Sequence, residues 1–91
     1  VASEEASEMA AMVKGLQGKA GAAFDKAFLG EMIAHHQGAI EMARMALKDA
    51  EHPEIKKLAR AIVAAQTSEI TEMQGWQQDW GLSVSDMPGL R

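Results

Sequence analysis

From Ala22 to Ala50, apolar residues recur at helical spacing and polar ones fill the far side. At about 100° per residue, Phe28, Leu29, Met32, Ile33, Ala39, Ile40, Met42, Ala43 and Leu47 cover about half of the circumference. His35 and His36 fall inside that arc, whereas Lys26, Gln37, Glu41, Arg44 and Lys48 lie opposite it. A second helical stripe runs from Pro53 to Trp80 through Ile55, Leu58, Ala59, Ile62, Met73, Trp76 and Trp80. Pro53 suits the first position of a helix, and Gly81 is a natural stop. A shorter stripe of Met9, Met12, Val13 and Leu16 predicts a helix from Ser3, as N-cap, to Leu16. Glu4 and Glu5 then sit where the helix dipole favours acids. Gly15, Gly18 and Gly21 mark a turn over 15–21, and residues 81–91 read as an irregular tail.

The pattern therefore predicts one all-α domain over 1–91: a short helix and turn (1–21), long helices over 22–51 and 53–80, and the tail. The break at Glu51-His52-Pro53 is too short for anything but an antiparallel hairpin of the two long helices. A lone hairpin leaves much of a half-circumference arc wet, and the short helix covers only part of it. A homodimer completing a four-helix bundle is the expected remedy.

Composition sharpens this picture. Hydrophobic residues make up 47% of the chain, enough for a folded domain, and Ala and Met dominate over β-branched and aromatic types, favouring helix over sheet. At 91 residues the core is thin. A net charge of −4 without a clustered basic face argues against nucleic acid. No apolar run approaches the roughly 18–20 residues of a membrane span. No basic stretch followed by an apolar core marks a signal peptide in these residues. With no cysteine, thiol chemistry and zinc fingers are excluded, so a soft-metal site must use Met and His.

Polar residues inside apolar stripes are where the chemistry is expected. Gln66 and Glu69 interrupt the last helix, and an ionised carboxylate on a packed face is costly unless paired or ligated. Counting outward from the hairpin turn places residue 36 level with about residue 67. His35 and His36 are thus expected opposite Gln66 and Glu69, with Met32 near Ile70 and Met73. Two readings follow. The polar groups form a buried hydrogen-bond network without metal. Alternatively they hold a soft ion, since imidazole and thioether suit Cu(I). Met32 and Met42 are the foremost sulfur ligands, Met45 and Met73 come next, and Met9 and Met12 last. Met45 falls outside the main arc but lies three residues from Met42, near enough to share an ion. His52 reads as a cap or surface residue. Enzyme chemistry lacks support: no Glu-x-x-His pair, His-Glu-x-x-His motif, phosphate loop or nucleophile elbow is present.

Phe24-Asp25-Lys26-Ala27-Phe28-Leu29 and Met32-Ile33-Ala34-His35-His36-Gln37-Gly38-Ala39-Ile40-Glu41-Met42-Ala43 resemble the pattern of a bacterial exported family, DUF305. His52-Pro53-Glu54, Leu58-Ala59, Ile62, Ala65-Gln66, Glu69-Ile70, Met73 and Trp76 extend the likeness, which runs over roughly 9 to 81. The resemblance implies a ferritin-like helical bundle exported to the periplasm or cell surface. It also implies a link to copper handling, with Cu(I) or Ag(I) held by Met and His. Carried onto this chain, that points to Met32, His35, His36 and Met42, then Met45 and Met73. Glu69 and Gln66, expected opposite the histidines, would orient the imidazoles of such a site.

Overall fold

A computed structural model describes residues 2–82, with side chains from residue 7. Three helices occupy that span: α1 (Ala2–Leu16), α2 (Gly21–Asp49) and α3 (Pro53–Trp80). No strand occurs among the described residues, and no described helix is long and apolar enough to cross a membrane. The expected all-α class and helix limits match to within one or two residues. Ser3 is a correction: α1 begins at Ala2, so Ser3 lies inside the helix rather than capping it. The tail from residue 83 lies outside the described residues.

Local chemistry explains the boundaries. Pro53, whose missing N–H would have no partner there, opens α3, and the His52 carbonyl accepts from the Ile55 N–H at 3.0 Å. His52 is exposed and makes no side-chain cap bond. At the other end Gly81 adopts φ 66°. The Leu82 N–H then reaches the Gln77 carbonyl at 2.8 Å and the Gly81 N–H reaches Gln78 at 3.4 Å, a Schellman closure that glycine makes without strain. Between α1 and α2 the chain reverses through Gly18 at φ 80°, another left-handed position.

α2 and α3, joined by three residues, fold back on one another and carry the core. The buried apolar residues are Leu29, Ile40 and Ala43 of α2 with Ala59 and Met73 of α3, and His36 is buried among them. The α2 positions 29, 36, 40 and 43 repeat at seven, four and three residues, the narrow seam of a helix pair. The wider arc expected from sequence is not buried. Phe28 and Met42 of α2 and Ile55, Leu58, Trp76 and Trp80 of α3 are exposed. The reason is geometric: one neighbouring helix covers a seam, and the rest of a half-circumference arc needs a second neighbour. α1 supplies it only in part, lying mainly along α2 with Met12 and Leu16 half-buried and Met9 and Val13 exposed.

α1 approaches α2 closely at Gly15, where a Cβ would stand 2.9 Å from Glu31 Oε1. Elsewhere the helical glycines are not packing devices. An added Cβ at Gly30 or Gly75 would meet no atom within 4 Å, and neither has a positive φ. Gly30→Ala and Gly75→Ala are each expected to add about 0.5–1 kcal/mol of stability through helix propensity. Urea unfolding followed by circular dichroism checks this; a loss of stability in either variant would mean an unseen neighbour at that position.

Candidate metal centre

His35 and His36 are adjacent on α2 and so point about 100° apart around its axis. They cannot both face α3. Their rings sit 6.3 Å apart at 65°, turned towards different neighbours. His36 takes the seam and is 7% exposed. Its Nε2 lies 2.6 Å from Glu69 Oε1 across the α2–α3 interface, a charge-assisted hydrogen bond in which Nε2–H donates to the carboxylate. The Glu69 side chain remains 53% exposed, so the carboxylate keeps contact with water while one oxygen reaches inward. This resolves the cost of a carboxylate in an apolar stripe: it is paired and half solvated.

The inner cluster is otherwise sparse. His36 Nδ1 and Gln66 Oε1 are buried with no hydrogen-bond partner in the protein. When Nε2–H donates to Glu69, a neutral imidazole leaves Nδ1 as an acceptor, and an amide oxygen is also an acceptor, so these two atoms cannot satisfy each other. Met73 is buried beside this level of the seam as a packing residue, and Met32 is half-buried.

His35 faces the other way. It lines an open cleft of about 520 Å³ between α1 and α2, together with Met42 of α2 and Met9 and Glu8 of α1. Ala34, Gly38 and Ala39 also line it, and their small side chains keep that wall low. Two thioethers, one imidazole and one carboxylate thus surround a solvent-accessible space. Among the described residues no three His, Asp or Glu side chains stand close enough to hold a metal together, so a site here depends on methionine sulfur. That donor set suits a soft ion that thioethers and imidazole can ligate without prior loss of a thiol proton.

The expected single inward cluster is therefore corrected. His36 meets Glu69, and Gln66 lies half-buried on the same helix face. His35 and Met42 point to α1 instead, and Met42 is 62% exposed. Met45 is exposed, outside both groups of contacts. Met9, ranked last from sequence, and Glu8, not considered, enter the His35 cleft. The available sequence signal was the Met9-x-x-Met12 spacing on α1, which repeats the Met42-x-x-Met45 spacing on α2.

A solved structure described as CopM in the apo form matches with a TM-score of 0.62 and 54% identity, over 65% of this chain and 44% of that one. An uncharacterized protein of Acanthamoeba polyphaga mimivirus is 43% identical over 49 residues, 54% of this chain and 32% of its own length. This chain thus aligns with less than half of either relative. The profile of DUF305, a domain of unknown function, matches residues 2–77. That span takes in the cleft residues of α1 and α2 and the His36–Glu69 pair, and the chain belongs to the DUF305 family.

Proposed function

We propose that this chain binds a soft monovalent metal, Cu(I) or Ag(I), in the bacterial cell envelope and serves its sequestration or transfer in copper homeostasis. It acts without catalysis, in the periplasm or at the cell surface, on a ferritin-like helical scaffold. The observation that carries the reading is the meeting of Met9, His35 and Met42 in one open cleft. The donor chemistry fits. Thioethers remain unprotonated at any working pH and do not oxidise to disulfides, so a Met and His site functions in an oxidising compartment where thiols fail. Family membership and the copper-related relative CopM support the same reading.

In this scheme Met9 and Met42 supply sulfur, His35 supplies nitrogen, and the exposed Met45, three residues beyond Met42 on α2, is a further thioether close in sequence. Glu8 adds negative charge that favours a cation. Met32 and Met73 serve packing. A second reading, a hydrogen-bond network without metal, is favoured for the inner group by the 2.6 Å His36–Glu69 bond. The two readings therefore divide the histidine pair between them.

Anaerobic titration against a Cu(I) chelator tests the division. His35→Ala with Met42→Leu is expected to weaken Cu(I) binding by 100-fold or more, on the order of 3 kcal/mol. His36→Leu is expected to change it by less than about threefold. Equal binding by wild type and the double variant would remove the proposal.

A further inference from the structure

We infer that, on the reading of the His35 cleft as a soft-metal site, Met42 and Met9 are also sites of reversible oxidation, and that a peroxide switches the cleft off by turning both thioethers into sulfoxides. Thioethers escape disulfide formation but not this reaction, and its rate follows the oxidant's access to sulfur. The described methionines differ widely in access. Met42 is 62% exposed, Met45 64% and Met9 46%, whereas Met73 is 7% exposed and Met12 and Met32 are half-buried. Met42 and Met9 both line the open cleft of about 520 Å³, beside the low wall of Ala34, Gly38 and Ala39. A molecule as small as hydrogen peroxide reaches them from solvent without any opening of the core.

The chemistry needs no group from the protein beyond the sulfur. A thioether lone pair attacks one peroxide oxygen, the O–O bond breaks and an S–O bond forms. The departing hydroxide takes the proton of the transferred hydroxyl and leaves as water. Sulfur is oxidised by two electrons and the peroxide is reduced by two. The product is a polar, chiral sulfoxide. Its oxygen is a hard donor, and its sulfur has spent one of the lone pairs that a soft ion uses. The cleft then keeps only the His35 imidazole and the Glu8 carboxylate, and the chain has no cysteine to supply another soft donor. Ligation works in the opposite direction, because an ion seated on the sulfur lone pair withholds it from the oxidant. A loaded cleft is therefore protected, while an empty one is silenced. Met45 separates access from ligation: it is as exposed as Met42 but lies outside the cleft. Sulfoxides are returned to thioethers by reductases, one for each epimer, so the switch is reversible.

Treatment of the full chain with hydrogen peroxide, followed by peptide mass spectrometry and Ag(I) titration, is the test. Without metal, Met42, Met45 and Met9 are expected to gain one oxygen well before Met73. With Ag(I) bound, Met42 and Met9 are expected to be protected while Met45 oxidises at an unchanged rate. The oxidised chain is expected to bind Ag(I) about tenfold or more weakly. Incubation with both sulfoxide reductases is expected to restore the affinity, which excludes unfolding or other damage as the cause of the loss. Met45→Leu is expected to lose and regain binding as the wild type does, which places the effect at the cleft sulfurs. An untreated chain that does not bind Ag(I) removes the metal reading and the switch together. Binding that survives oxidation of Met42 and Met9 unchanged removes the switch alone. Oxidation of Met73 as fast as Met42 overturns it as well, because access would then not select the cleft.

Discussion

Replacing Glu69 by leucine is expected to cost about 1–3 kcal/mol, because the buried His36 Nε2–H loses its acceptor. The converse change is expected to cost less. In His36→Leu the abandoned carboxylate is already 53% exposed and can turn fully into water. It leaves no orphaned charge, and leucine fills the seam beside Leu29 and Ile40. The double variant, His36→Leu with Glu69→Leu, is expected to return to wild-type stability or above it, since an apolar pair removes both polar desolvation costs. For a chain of 91 residues the whole stability is roughly 5–14 kcal/mol. A loss of 1–3 kcal/mol then lowers the melting temperature by roughly 4–24 °C. Thermal and urea unfolding of the four proteins form a double-mutant cycle, with a coupling energy of about 1–3 kcal/mol expected. A Glu69→Leu protein as stable as wild type would show that the 2.6 Å contact contributes nothing.

The asymmetry of that cycle follows from features only partly legible in the sequence. Periodicity located all three helices because each carries its own signals. Pro53 opens α3, Gly81 closes it, and Gly18 and Gly21 separate α1 from α2. Hairpin counting also brought residue 36 level with residues 66–69, because a three-residue connection between straight helices leaves little freedom in register. That Glu69 should pair with a histidine was thus readable from the sequence. Its half-exposed state was not, since exposure depends on what packs beside α3.

What failed was the assignment of neighbours. A half-circumference arc states that a helix has more than one partner but not which sector faces which. His35 and His36 sit 100° apart on an arc that met both α3 and α1, so one reading of the arc merged two sites. Met42 was assigned to the inner group on the same ground and instead lines the α1 cleft. α1 could not be positioned from its own pattern. Its short stripe specifies an apolar side without a register, and the turn through Gly18 adds left-handed freedom that the sequence does not resolve.

Because α1 rests on α2 and none of its described side chains is fully buried, metal binding in the cleft should stabilise α1 most. A ligand that binds only the folded state contributes about 2.7 kcal/mol at a hundredfold excess over its Kd. For a domain of this size that corresponds to a melting temperature higher by roughly 10–20 °C. Ag(I), which matches Cu(I) in its preference for sulfur and needs no reductant, is the convenient probe. Hydrogen exchange should slow along α1, whose opening otherwise requires little disruption of the core. In Met9→Leu the temperature rise is expected to fall by more than half and the protection of α1 to disappear, because the ion then binds α2 alone. In His35→Ala with Met42→Leu both effects should vanish, while in His36→Leu both persist on a lower or equal baseline. If Ag(I) raises the melting temperature of all three variants equally, or leaves α1 exchange unchanged in the wild type, the cleft is not where the metal acts. The α1–α2 contact would then be a packing feature only.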